Sequence, residues 1–250
     1  MKSIDKIANR SHTENQLEQA MVSLIKNTQV SENHLVDNMG LFLNSRLMGR
    51  LLFMHEMYKK ILNVHGIVIE FGTRFGQNLS LFHAFRSLYE PYNRIRKIIA
   101  FDTFAGFPNL TPQDGQSELM QPGFATTSEH YELYLEEVMR VKELENPMSH
   151  IKKFDLIKGD AIQTVPQYLR DYPETIIALA YFDFDLYTPT KVCLEAIRPH
   201  LVKGSVIGFD ELGDHDAPGE TMALNETFGL YNVRLQRFPN VSRTSYFVVE

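Results

Sequence analysis

The 250-residue chain has a single cysteine, no excess of positive charge and no long apolar run, and each shortage removes a class of protein. Cys193 cannot form an intrachain disulfide, and its apolar helical surroundings (Val192, Leu194, Ala196 and Ile197) predict burial as a small hydrophobe rather than chemistry. Twenty-five Lys and Arg against 31 Asp and Glu leave a formal charge of -6, so no general pull toward nucleic acid is expected. Nowhere do eighteen apolar residues run together, and the stretch from Met1 to Gln16 is polar with no apolar signal region. No membrane insertion and a cytoplasmic location are therefore expected. What is present is ordinary for a globular protein: 44% hydrophobic and 22% charged residues, with length for one α/β domain and an appended helical segment.

Residues 1–16 read as a frayed arm. From Leu17 to about Asn63 apolar residues recur at helical spacing, notably Leu41, Leu43, Leu47, Leu51, Leu52, Met54 and Tyr58. Residues 1–63 are thus predicted to be a helical segment for lid or dimer contacts, and its apolar stripe motivates an expected homodimer. From Gly66 the pattern changes to short β-rich runs, most of them ending in an acid: Gly66–Phe71, Lys97–Asp102, Phe154–Lys158, Thr175–Asp183 and Ser205–Asp210. Helical stretches near Gln77–Tyr89, His130–Glu145, Ala161–Arg170, Thr190–Leu201 and Glu220–Leu230 separate or follow them. This alternation predicts a parallel sheet with helices on both faces. Two further β-rich runs, Val233–Phe238 and Thr244–Val249, lie close enough together for an antiparallel hairpin at the sheet edge. The expected fold is a single Rossmann-like α/β domain over residues 64–250, with a mostly parallel seven-stranded sheet. The segment 104–128 is rich in Pro, Gly, Gln and Thr, lacks periodicity and is predicted to be a lid.

Ligands of such sheets bind beyond the carboxyl ends of the strands, where Glu70, Asp102, Asp183 and Asp210 are expected, with Asp160 just past its strand. Gly72 and Gly76 follow the first strand and allow a tight turn with close backbone approach to a cofactor. A dinucleotide loop would carry a third glycine. Here an acid precedes the turn instead, which suits a cationic cofactor bearing an amino acid better than a diphosphate. Asp102 stands where an acid receives two ribose hydroxyls. Asp160 suits either an adenine amino group or the N-cap of the next helix.

The densest acidic cluster is Asp183 and Asp185 followed, one βα unit later, by Asp210 and Glu211. Alternation along a strand would put Asp183 and Asp185 on one face, so that three or four carboxylates meet. A bound divalent cation is the simplest way to keep such a set ionised, and all-oxygen ligation favours Mg²⁺. The alternative is that Asp185 caps a helix near Thr188 and that Asp210 and Glu211 pair with Lys or Arg.

Glu70–Gly76, Phe101–Pro108, Lys158–Asp160, Asp183–Tyr187 and Lys203–Gly213, in this order and spacing, resemble the macrocin O-methyltransferase (TylF) family of class I S-adenosylmethionine-dependent methyltransferases. The resemblance runs over roughly Gly66 to Gly213. It implies that Glu70, Phe71, Gly72, Thr73, Arg74 and Gly76 hold the methionine part of the cofactor and that Asp102, with Thr103 and Phe104, holds its ribose. Gly159, Asp160 and Ala161 would border the adenine, and Asp183 would close the cofactor site. It further implies that Asp183, Asp210 and Glu211 bind Mg²⁺ beside the acceptor hydroxyl of a small molecule, by family precedent a sugar or glycoside. This chain departs from the family in having Glu211 where a second aspartate is common, and Leu186 where the related catechol enzymes carry a lysine base.

A sugar hydroxyl is a poor nucleophile at neutral pH, so a base is expected. Asp183 is the first candidate, Asp185 the second and His215, on the loop after the fifth strand, the third. His130 and Tyr131 are further candidates for substrate contact. An NAD-dependent oxidoreductase shares the glycine turn and ribose acid, but the missing third glycine and the terminal hairpin count against it. A non-catalytic scaffold would have no use for the acidic set.

Overall fold

The computed structural model describes residues 11–118 and 120–250. The chain divides into two compact units, one ending at Arg50 and the other running from Leu51 to Glu250. Residues 1–10 of the expected arm lie outside the described residues. The rest of that arm is not frayed, because Ser11 and Glu14 form a capping box that starts α1 (His12–Lys26). Beyond α1 the first unit holds α2 (Glu32–Leu35), a 3-10 run (Val36–Phe42) and the start of α3 (Ser45–Lys60). No side chain of α1 is buried, and Leu17, Met21, Val22, Leu24 and Ile25 are exposed.

The second unit includes the latter part of α3, which the sequence reading grouped with the preceding helices, because Phe53, Met54, Met57 and Tyr58 are fully buried in its core. There follow β1 (Ile67–Phe71), α4 (Gln77–Tyr89), β2 (Ile98–Asp102), α5 (Tyr131–Leu144), β3 (Phe154–Lys158), α6 (Ala161–Asp171), β4 (Ile177–Phe182) and α7 (Tyr187–Ile197). The chain continues with β5 (Leu201–Phe209), α8 (Gly219–Thr227), β6 (Gln236–Arg237) and β7 (Ser245–Val248). The seven strands form one sheet in the order β3-β2-β1-β4-β5-β7-β6, parallel through β5 and antiparallel beyond it. The terminal hairpin lies at the sheet edge, as expected.

Strand alternation divides the core between two faces. Val68 packs with α3, α4 and α5 through Met57, Phe82 and Leu135, whereas its neighbour Ile69 packs with α6, α7 and α8 through Val165, Leu194 and Leu224. Both faces are covered, so β1 and β4 are buried at every position. Periodicity runs α8 three residues too far, since it stops at Thr227 rather than Leu230, and it shifts the whole of α7. The latter helix starts three residues early, at Tyr187, and gives way at Ile197 to a 3-10 turn, where Pro199 has no N–H to continue the ladder. Leu201, read as helical, opens β5. Among the described residues no helix is long and apolar enough to cross a membrane.

Candidate active site

At the switch point of this strand order, β1 lies between β2 and β4, and the loops leaving their carboxyl ends diverge. Glu70 is fully buried and accepts a hydrogen bond from the Thr73 hydroxyl (3.3 Å). Gly72 has φ +87°, and a Cβ there would collide with the carbonyl oxygen of Asp183. The glycine therefore lets the β1 loop cross directly against the end of β4, a contact that a hydrogen bond from the Asp183 N–H to the Phe71 carbonyl (2.8 Å) closes.

Asp102 links the first and second loops. Its two carboxylate oxygens accept from the backbone N–H groups of Arg74 and Phe104, both at 2.6 Å, and both of those residues hold positive φ (46° and 55°). Burial raises the Asp102 pKa, and these two hydrogen bonds only partly offset it. The Arg74 guanidinium lies over the Phe75 ring at 4.9 Å, and its Nε is buried with no hydrogen-bond partner. Thr103 braces the next turn by donating to the Gly106 carbonyl (2.9 Å). Asp160 is the N-cap of α6, accepting from the Ile162 N–H at 3.0 Å, and Gly159 donates to the Asp102 carbonyl at 2.9 Å. Ala161 is buried at the start of that helix.

On the other side of the switch point the acids do not fall as strand alternation predicts. β4 ends at Phe182, and Asp185 adopts a left-handed conformation (φ 61°), so Asp183 and Asp185 are not two residues of one strand face. Nor does Asp185 cap a helix, since α7 begins after Leu186 without a side-chain cap. Asp183 receives the Asn78 amide (3.3 Å), and Asp210 receives the hydroxyl of buried Tyr181 (2.6 Å). Glu211 pairs with Arg243 at 2.6 Å, and the same guanidinium reaches Asp214 at 2.8 Å.

Among the described residues no three His, Cys, Asp or Glu side chains are gathered closely enough to grip a metal ion, so the expected meeting of three or four carboxylates is not formed. They remain within electrostatic reach of one another. Burial, then Glu211 and Asp210, push Asp185 up to about 8. Burial, with Asp210, Asp214 and Asp183 acting against Arg243, brings Glu211 to about 7.

Several contributors had no signal in the sequence reading. Asn78 is the second residue of α4, Arg243 comes from the connection between β6 and β7, and Glu220 reads as an ordinary first-turn acid of α8. Glu220 is in fact fully buried beneath the acidic loops, and burial, then Asp185, Asp183 and Asp210, raise its pKa well above the ordinary range. His215 stands exposed on the loop between β5 and α8. His130 precedes α5, and the Tyr131 hydroxyl donates to the Phe75 carbonyl (3.2 Å).

Among its described residues the segment 104–128 contains one 3-10 turn (Pro112–Asp114), and several contacts tie it down. Phe107 and Phe124 pair through backbone and ring, and Thr127 donates to the Phe104 carbonyl. Ser117 donates to the Asp216 carbonyl, and the buried Asp114 accepts from the Tyr187 N–H.

The strand order, the glycine turn after β1, the acid closing β2 and the antiparallel β7 define a class I methyltransferase. No family model matches the chain, and no curated protein does. Solved structures do. CalS11, a calicheamicin methyltransferase, is 40% identical, with 96% of this chain and 94% of that chain covered and a TM-score of 0.94. The apo structure of CalS11, described as a TDP-rhamnose 3'-O-methyltransferase of calicheamicin biosynthesis, is 39% identical with 96% of each chain covered and a TM-score of 0.85. The O-methyltransferase NovP shares the fold at 18% identity, a TM-score of 0.60 and coverage of 80% of this chain and 79% of its own. The present chain belongs to the macrocin O-methyltransferase (TylF)-like family and is an S-adenosylmethionine-dependent O-methyltransferase.

Proposed function

We propose that the enzyme methylates a hydroxyl of a sugar carried on a nucleotide or a glycoside, with S-adenosylmethionine held over the β1 and β2 loops. The observation that carries this reading is the 39% identity, across 96% of both chains, to an enzyme that acts on TDP-rhamnose. In this reading Glu70 and the turn through Phe71, Gly72, Thr73, Arg74 and Gly76 hold the methionine end. Asp102, Thr103 and Phe104 hold the ribose, Gly159, Asp160 and Ala161 border the adenine, and segment 104–128 is the lid.

Methyl transfer is an in-line displacement: an acceptor oxygen lone pair forms the new O–CH₃ bond as the C–S bond electrons return to sulfur, leaving S-adenosylhomocysteine. The hydroxyl proton must pass to a base. Asp183 is our first candidate because the backbone of β1 and Asn78 fix it at the junction of the two halves of the site; Asp185 is second and His215, on the rim, third. Holding acceptor and methyl in line is itself worth several kcal/mol.

The all-oxygen donors Asp183, Asp210 and Glu211 suit Mg²⁺ in chemistry but are not drawn together around one point, so to hold the ion Glu211 would have to leave Arg243 and the three carboxylates would have to close on it. When bound, a divalent cation would lower the pKa of the acceptor hydroxyl. We further propose that the exposed apolar residues of α1 pair with a second copy of the chain; a monomer in light scattering overturns that.

The test is turnover of TDP-rhamnose with S-adenosylmethionine, read by mass spectrometry as gain of one methyl, with and without EDTA. Methylation is expected, with its loss in EDTA and recovery on adding Mg²⁺. No methylation sinks the acceptor class, and full activity in EDTA sinks the metal.

A further inference from the structure

Two loops bring acids to the acceptor side of the site, and one buried side chain touches the backbone of both. Glu220 has no exposed surface. Its Oε1 accepts from the N–H groups of Phe184 (3.1 Å) and Asp185 (3.4 Å), and its Oε2 accepts from the N–H of Glu211 (3.3 Å). The first two belong to the turn after β4 and the third to the loop after β5.

The turn needs such a support. Asp185 holds φ +61° without being glycine, a conformation that persists only where the surroundings impose it. The start of α8 is pressed against the same turn: a Cβ on Gly219 would stand 2.5 Å from the Tyr187 nitrogen and 2.7 Å from the Asp185 carbonyl oxygen. Asp183, by contrast, is held from the opposite side, its N–H donating to the Phe71 carbonyl and its carboxylate accepting from the Asn78 amide.

We infer that Glu220 is a positioning residue, a buried carboxyl that sets Asp185 and Glu211 relative to one another by accepting from both loop backbones. The inference rests on the reading of these acids as the acceptor side of the site. Its chemistry is that of a fixed acceptor. Glutamine has the same length but offers one acceptor oxygen and an NH₂ group, so at one of the two loops a donor would face a donor. Aspartate keeps both oxygens and cannot span the gap.

Two readouts separate this inference from the reading beneath it. The first needs no acceptor: crystals of Glu220→Gln with S-adenosylhomocysteine, compared with the parent protein under the same conditions. Displacement of Asp185 or Glu211 by more than about 0.5 Å is expected, a tolerance within which functional groups must be held. The second is turnover of TDP-rhamnose. There kcat is expected to fall at least about tenfold, since small misplacements near reacting groups are costly, while S-adenosylhomocysteine binds within about twofold of the parent because Asp183 and the β1 loop keep their contacts with Phe71 and Asn78. Glu220→Asp serves in the same two measurements should the glutamine variant fail to fold. Unmoved loops in a folded variant, or kcat within twofold of the parent, overturn the inference. A parent protein that binds S-adenosylhomocysteine but leaves TDP-rhamnose unmethylated overturns the acceptor assignment, and the crystal comparison still decides the role of Glu220.

Discussion

Two groups of acids in the sheet unit are balanced in opposite ways. Glu143 of α5 lies within a ring of donors: Arg86 of α4 gives its carboxylate two hydrogen bonds (2.9 and 2.8 Å), Lys153 stands at 2.7 Å and His83 at 3.4 Å. Burial alone would raise its pKa; the contacts from His83, Lys153 and Arg86 more than reverse this and hold it at about 2. Burial pushes the His83 pKa down. At the ends of β4 and β5, by contrast, Asp185, Glu211 and Glu220 lie among other acids, Arg243 pairs with Glu211, and the resolved shifts of these three go upward. The first group is complete without a ligand and ties α4, α5 and the approach to β3 together. The second gathers acids whose pKa values are raised by burial and by one another, which marks a site rather than a brace.

The largest effect expected from this contrast is on folding. Glu143→Ala removes the carboxylate paired with buried Arg86 and Lys153, leaving them only their bonds to backbone carbonyls and His83, and breaking a buried pair from one side costs about 3–5 kcal/mol. Denaturant unfolding should report that loss, while the turnover of the molecules that remain folded stays near the parent value. The same group predicts a pH dependence of known sign. The folded pKa of Glu143 is about 2, below the ordinary 4.5, so its contribution is complete above the ordinary value and is lost as pH falls from there toward 2. In the variant this part of the acid limb should flatten; a limb identical to that of the parent contradicts the assignment.

The acceptor-side acids should behave in the reverse manner. Asp183→Asn removes a charge from an over-acidic group, so the thermal midpoint should hold or rise, while turnover of TDP-rhamnose falls by about 10²–10⁴ if Asp183 takes the proton. Equal loss of turnover and stability would place Asp183 with Glu143 as a brace. A loss that appears only in Asp185→Asn, or only on replacing His215, moves the base to that residue.

The same contrast shows which parts of the molecule were legible in the sequence. β1 to β5 and the glycine turn could be read because buried parallel strands are short apolar runs, and because Gly72 occupies a conformation that side chains rarely adopt. The acids at the strand ends were found for the same reason: a charge that ends an apolar run stands out. Arg243, Asn78 and Glu220 were not found, since each reaches the site from another element and nothing local distinguishes it from a surface residue. The geometry of Asp183 and Asp185 was misjudged because alternation holds only while the chain stays extended, and β4 stops at Phe182. Cys193 was read correctly, being buried, with its thiol pKa pushed up by that burial.

Arg243 gives the smallest expected effect and the sharpest test of how the acidic group is used. Its side chain is about half exposed, at 49%, whereas its partners Glu211 and Asp214 are only 11% and 15% exposed, so Arg243→Gln should lower the thermal midpoint, but by less than Glu143→Ala does. What should change is the cation requirement. With Glu211 released, one more carboxylate is free to join Asp183 and Asp210, and half-maximal activity should be reached at a lower Mg²⁺ concentration in a titration following EDTA treatment. An unchanged Mg²⁺ titration in a folded Arg243→Gln protein removes Glu211 from the ligand set. A raised requirement shows instead that the arginine itself serves the bound state, most simply by offsetting the repulsion among the acids that the ion must join.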